Sequence, residues 1–299
     1  MVLLDDRDTH SHSHALGPSR AEPVGDAPVA GTPAQADHDD DASWEDLGRL
    51  VAHLLEVDAG KDHDSAQGLV PSDIFNYWDQ ATPPADVAQC LASWRATGLP
   101  VQTYDRDSAD EYLRHHFGGD VLAAFRYCHH PSMQSDILRM ARLAQDGGLY
   151  VDADDEYVGD GLLPRFQAGS ALIALAVCRH CPDSLQPRAN DPAAAQAWYY
   201  LGSAPWFSEP GHPVVLRSLD RAVAAMTLRR RRGELGKIHA DVGPGCVSMA
   251  ALDYARDCQR KAMPVDLAAS PGWSFVVQSR MLDYKATDRN WRRNAVLYS

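Results

Sequence analysis

Residues 132–156 read SMQSDILRMARLAQDGGLYVDADDE, and this stretch decides the fold. Ile137, Leu138, Met140, Ala141, Leu143 and Ala144 recur at helical spacing over a broad apolar surface, which predicts a largely buried helix. Ser135 is placed to cap it and Gly147-Gly148 to end it. The LYV that follows predicts a central strand. Asp152, Asp154, Asp155 and Glu156 then stand at its carboxyl end, where open α/β sheets hold their ligands. So much negative charge in five positions costs free energy unless a cation, a hydrogen-bond donor or water relieves it. Asp136 and Arg139, three apart on one face of the buried helix, are a second costly placement unless they pair or meet a polar ligand.

Working outward, DIFNYWDQ (73–80) and PVQTYD (100–105) are strand-like, and each precedes a helical pattern, PPADVAQCLASWRATG (83–98) and SADEYLRHHFG (108–118). The alternation predicts an α/β fold with a largely parallel sheet and no internal repeat. On the amino-terminal side, SWEDLGRLVAHLLEV predicts an amphipathic helix through Trp44, Leu47, Leu50, Val51, Leu54 and Leu55, capped by Ser43 and packed on the main domain. Residues 1–42 are rich in Asp, Ala, Pro, Gly and His and read as a disordered acidic tail. Its HSHSH run is read as solvated rather than metal-binding. The expected organisation is tail 1–42, helix and linker 43–66, and one domain over 67–299.

The net charge of −13 is uneven, since residues 1–66 hold fifteen Asp/Glu against four Lys/Arg and so carry −11 of it. The body is nearly neutral, which argues against nucleic-acid binding. No apolar run approaches the roughly 20 residues of a membrane span and the amino terminus lacks signal-peptide character, so a cytoplasmic location is expected. Six irregularly spaced cysteines read as reduced thiols, and the single C-x-x-C, Cys178 and Cys181, lacks the second pair that a zinc site requires. Arg229–Arg232 close a helix predicted from Pro213, where cations suit the helix dipole, although an anionic acceptor would also suit them. His129 and His130 precede the buried helix and read as structural or capping residues.

Three metal chemistries compete for the acidic cluster. An EF-hand loop from Asp152 needs glycine sixth and glutamate twelfth, but those positions are Tyr157 and Leu163. A phosphotransferase with the first aspartate as nucleophile wants a nearby Thr/Ser and Lys, where Asp155 and Glu156 stand instead. An Asp-x-Asp site turns two carboxylates toward one metal that also grips a diphosphate.

The segment SDILRMARLAQDGGLYVDAD resembles the Ser-Asp-x-x-Arg, Gly-Gly-x-Tyr-x-Asp-x-Asp signature of the DxD, sugar-binding-region glycosyltransferases. That group includes yeast-type initiating mannosyltransferases and the catalytic domains of large clostridial glucosylating toxins. Looser similarity runs through EPGHPVVLRSLD and DVGPGCVSMAALDY, so the resemblance covers most of residues 70–260.

It implies a GT-A (Rossmann-like) fold, Mn2+ or Mg2+, a nucleotide-sugar donor with UDP-sugar ahead of GDP-sugar, and an acceptor that is a glycan, a protein or a small metabolite. On matching positions Asp154 would coordinate the metal, and Asp152 would touch it through water or hold the donor's ribose. Asp136 and Arg139 would bind donor-sugar hydroxyls, with Tyr150 of the same motif also at the donor. Trp78 would stack on the nucleobase or sit in the core. KATDRNWRRN is the candidate closing loop, with Lys285 and Trp291 at the donor and Asn290 as a third metal ligand. The usual Ile-Pro-Lys-Ile-Ile-His opening is replaced by VPSDIFNYW, and the usual histidine-tryptophan by Asn290-Trp291. A silent nucleotide-sugar or glycan-binding protein of the same fold is the alternative from a different class, ahead of a phosphotransferase.

Overall fold

A computed structural model describes residues 47–50, 54, 68–69, 71–159, 166–167, 174–180, 198–269 and 276–291. The readings of the 1–42 tail, of Ser43, Trp44, Val51 and Leu55, and of the Cys178 and Cys181 side chains lie outside the described residues. Leu47, Leu50 and Leu54 are helical and buried in the main core cluster, as the amphipathic pattern requires.

In chain order the strands are β1 (Gly68–Leu69), β2 (Ile74–Tyr77), β3 (Val101–Tyr104), β4 (Gly148–Tyr150), β5 (Asp155–Tyr157), β6 (Phe166–Gln167), β7 (Ala174–His180), β8 (Trp198–Ser208), β9 (Ala268–Ala269) and β10 (Val277–Ser279). The helices are α1 (Ala85–Ser93), α2 (Arg106–His116), α3 (Gly119–Tyr127), α4 (Pro131–Asp146), α5 (Pro213–Arg232) and α6 (Pro244–Arg260). Six strands form the central sheet in the order β3-β2-β4-β8-β7-β9. The β2–β3, β2–β4 and β7–β9 pairs are parallel and β8 is antiparallel to both neighbours. The fold class is therefore α/β with a mostly parallel central sheet. Two small antiparallel pairs, β1–β6 and β5–β10, complete the described strands.

Both faces of the sheet are covered, because alternate residues of β2 and β4 point to opposite sides. Phe75 and Tyr150 meet edge to face, with ring centroids 5.4 Å apart, in the cluster that α4 fills. Ile74 and Leu149 face the other way, against Trp94 and Phe207. Every α4 residue from Met133 to Ala144 is buried. Each of its large apolar side chains is worth about 1.5–3 kcal/mol over exposure.

The helix starts a turn earlier than the Ser135 cap predicts. His130 is the cap, its Nδ1 accepting the Ser132 N–H at 3.1 Å, and Pro131 in the first helical turn is pre-set to helical φ. Ser135 instead serves an arginine inside the helix. Helix α5 repeats the arrangement with His212, Pro213 and the Val214 N–H.

The Gly147-Gly148 pair is required for two reasons. Both have positive φ, +71° and +102°. A Cβ at Gly147 would also lie 2.7 Å from Pro210 Cδ and Ser208 O, and one at Gly148 2.5 Å from Asp73 Oδ1. The chain can thus leave α4 and enter β4 without a loop, which delivers Asp152 to the cavity only six residues after the helix ends.

Candidate functional site

A cavity of 290 Å³ opens beyond the carboxyl ends of β2 and β4. Its floor is α4 and β4, with Ser203 from β8; its outer wall is the segment 279–291, here termed the strap. Asp136, Arg139, Tyr150, Asp152, Asp154, Trp78, Lys285, Asn290 and Trp291 all line it, so the sequence-predicted residues converge on one space.

Arg139 is the hub of the floor. It is 4% exposed, and a buried guanidinium is tolerable only when its charge and donors are all met. Nη2 pairs with Asp136 Oδ1 at 3.0 Å and Asp152 Oδ1 at 3.2 Å, and donates to Ser135 Oγ at 2.7 Å. Nη1 donates to Ser203 O and Oγ at 2.7 and 3.0 Å. The guanidinium also lies 4.0 Å above the Tyr150 ring, whose hydroxyl donates to Asp152 Oδ1 at 3.0 Å. Asp136 and Arg139 are thus an ion pair at the cavity floor, aimed at the first aspartate of the Asp-x-Asp. Burial pushes the Asp136 carboxyl up to about 7, with Arg139 opposing and Asp152 adding to the rise.

Asp155 has no open oxygen. Its Oδ2 accepts the Asp152 N–H at 3.1 Å and its Oδ1 the Ser279 hydroxyl at 2.5 Å, while its carbonyl accepts from Trp94 Nε1 at 2.8 Å. Burial, with Asp152 and Asp154 adding to it, raises its carboxyl to about 8. It shapes the turn that carries Asp152 and Asp154 and ties that turn to β10, from which the strap departs.

The strap brings cations onto the acidic residues. Tyr284 donates to Asp154 Oδ1 at 3.0 Å and Lys285 Nζ contacts Asp154 Oδ2. Burial also raises the Asp154 carboxyl, as does Asp152, against the pull of Lys285. Arg289 pairs with Asp79 and lies 4.4 Å over the Trp78 ring, which also meets Tyr284 edge-on at 5.3 Å. Trp78 is therefore 5% exposed, and its Nε1 has no hydrogen-bond partner among the described residues. Asn290 Nδ2 donates to the Lys285 carbonyl at 2.8 Å.

No family model and no curated protein matches this chain. Among solved structures it is similar to one titled "PaToxG Glycosyltransferase", at 12% identity over 86% of this chain and 95% of that chain, with a TM-score of 0.39. A likeness that distant carries no argument about the site. Among the described residues, no helix is long and apolar enough to cross a membrane.

The donor chemistry fits a hard divalent cation: oxygen atoms from two carboxylates at one cavity, Asp152 with its side chain 41% exposed. No cluster of three or more His, Cys, Asp or Glu side chains with metal-holding geometry occurs among the described residues. Lys285 already takes the cation's place on Asp154. Sequence reasoning missed Ser203, Tyr284, Asp79 and Arg289, and gave Asp155 no role. Tyr284 adjoins the quoted loop, Arg289 lies within it, Asp155 adjoins the quoted motif and Asp79 follows Trp78, so adjacency was a signal for all four; Ser203 carried none.

Proposed function

We propose that this chain is a metal-dependent glycosyltransferase of the GT-A class. It moves a hexose from a nucleotide-diphosphate sugar, UDP-linked ahead of GDP-linked, to an acceptor hydroxyl or similar nucleophile. The observation that carries this reading is the buried Asp136–Arg139 pair on the floor of a cavity walled by Asp152 and Asp154. A buried ion pair held rigidly by Ser135 and Ser203 beside an acidic turn is suited to fixing sugar hydroxyls against a diphosphate.

Asp152 and Asp154, with Asn290 as the third candidate, would hold Mn2+ or Mg2+, which when bound supplies Lewis-acid neutralisation of the departing diphosphate. Asp136 and Arg139 orient the donor sugar; because Ser135 and Ser203 already hold the guanidinium, little ordering remains to be done on binding. The strap excludes water, and its Lys285 and Arg289 add positive charge beside the diphosphate. The resemblance implies retention of anomeric configuration, the leaving phosphate helping to deprotonate the acceptor; inversion in an anomeric-proton NMR assay would sink that part.

A silent nucleotide-sugar-binding protein is the second reading. One observation favours it: both oxygens of Asp154 are engaged by the strap. The experiment is thermal unfolding against UDP- and GDP-sugars with and without Mn2+, followed by donor hydrolysis. A ligand at a hundredfold its Kd adds about 2.7 kcal/mol to the native state. Asp154→Asn is expected to abolish the metal-dependent part of the shift and of hydrolysis; the ligand-free protein loses some stability because Lys285 is left without its anion, against the relief of crowding among the carboxylates. A metal-dependent shift without hydrolysis would favour the silent reading, and no shift with any donor would refute both.

A further inference from the structure

Asp154 is the second aspartate of the Asp-x-Asp, and each of its oxygens is already satisfied from the strap. The ammonium of Lys285 is placed with care. Its residue sits in a 3-10 turn, Asp283–Ala286, with its N–H bonded to Leu282 O at 3.0 Å and its carbonyl to Asn290 Nδ2 at 2.8 Å. The Lys285 and Asp154 side chains are 13% and 14% exposed, so their attraction is weakly screened by solvent. The strap is fastened beyond this contact as well, by Arg289 on Asp79 and by the His130 ring at the Asp288 carbonyl, 3.3 Å away.

A divalent cation binds carboxylates through direct oxygen contacts at about 2.0–2.6 Å, and an ammonium on the same oxygen opposes it by charge repulsion and by occupying one of its lone pairs. Metal binding to Asp154 therefore leaves Lys285 with no anion in a nearly closed cavity, a costly state unless a new anion arrives. A diphosphate is such an anion. We propose that Lys285 is a resident counter-cation that keeps the metal position on Asp154 closed, so that a divalent metal and a nucleoside diphosphate bind this chain cooperatively, the ammonium passing from Asp154 to the diphosphate. The proposal rests on the donor-site reading above and adds a rule to it: metal alone binds weakly. By linkage, the factor by which the diphosphate improves metal affinity equals the factor by which metal improves diphosphate affinity.

The test is Mn2+ titration of the full chain, free Mn2+ being read by electron paramagnetic resonance, alone and with saturating UDP or GDP. Wild type is expected to bind Mn2+ at least about tenfold more tightly with one of the diphosphates, within the usual range of coupling. Lys285→Met keeps the apolar stem and removes the charge. It is expected to bind Mn2+ alone at least about tenfold more tightly, with the coupling shrinking to about twofold or less. Lys285→Arg keeps the charge and is expected to retain weak metal-alone binding and large coupling. Circular dichroism establishes that each variant folds, and Lys285→Gln replaces the methionine variant if that one does not.

A charge acting only from a distance would raise metal affinity in Lys285→Met but leave the coupling unchanged, and that outcome overturns the exchange. So does Mn2+ binding by wild type that diphosphate does not improve, or Mn2+ binding by neither protein. The donor-dependent thermal shift and hydrolysis assays decide the glycosyltransferase reading separately, so either idea can fail while the other stands.

Discussion

The floor of the cavity comes from residues 135–155, one helix and the strand that follows it, whereas the strap reaches the same acidic turn across 124 to 131 residues of sequence. At the floor Arg139 and Asp136 are each 4% exposed, and of the hub's charged groups only Asp152, its side chain 41% exposed, opens to the cavity. The strap is fastened at its rim by partly solvated pairs, with Arg280 and Glu156 side chains 42% and 20% exposed and Arg289 and Asp79 29% and 18%. Buried pairs that lose a partner are expensive and solvated ones are cheap. The rim of the strap is thus cheaper to open than the floor, with its Lys285–Asp154 pair, 13% and 14% exposed, the costlier part, and the proposed donor-binding cleft would require such a division.

The largest expected effect tests the floor. Arg139→Met leaves Asp136 without its partner and is expected to cost about 3–5 kcal/mol in urea unfolding; a loss under about 1 kcal/mol would mean that the floor is no more rigid than the strap. Gly148→Ala comes next. Positive φ and a Cβ 2.5 Å from Asp73 Oδ1 are expected to cost about 1–3 kcal/mol, read from the same unfolding curves.

Arg289→Met is the strap's counterpart. Its stability change is expected to be under about 1 kcal/mol, because the ion pair it breaks is partly solvated. Chymotrypsin cleavage after Tyr284 should nevertheless speed up while the rest of the chain stays protected. Equal protection in mutant and wild type would break the contrast.

The remaining test is a slope with pH, which accumulates over several pH units rather than appearing at one. A carboxyl raised on folding from about 3.9 to about 7 binds its proton more tightly in the native state. Asp136 therefore weakens the fold as pH rises through that window, and does not help it. Asp136→Asn cannot ionise, so its stability relative to wild type is expected to improve steadily between those two pH values; a constant difference would show that Arg139 has cancelled the cost of burial.

The same contrast governs what was legible in the sequence. Helix, glycine pair, strand and Asp-x-Asp lie in one run, so periodicity and spacing put Asp136 and Arg139 on one helix face and Asp152 and Asp154 at one strand end, while their union in one site was implied by the family resemblance. The helix start was misjudged because Ser135 is a stronger statistical cap than histidine, although the structural or capping reading of His130 and the helix start at Pro213 both hold. Ser203, 64 residues from Arg139, has no local pattern at all, and Asp79, although it follows Trp78, gives no local sign of Arg289 210 residues away. Their roles exist only once the sheet brings β8 beside β4 and the strap beside β2.

Those two His-Pro starts carry a consequence for how the molecule is tied together. Each ring spends Nδ1 on an amide hydrogen of its own helix, which leaves Nε2–H to donate to a carbonyl elsewhere in the chain, Asp288 for His130 and Asp266 for His212. Both therefore act as single-tautomer, neutral stitches, each joining the first turn of a long helix to a stretch of backbone 158 or 54 residues away. Burial lowers the pKa of His130, so its stitch outlasts mild acid. Once the ring does take a proton, Nδ1 can no longer accept, so the cap on the leading turn of α4 is lost while Nε2–H goes on donating to the Asp288 carbonyl and the tether to the strap holds.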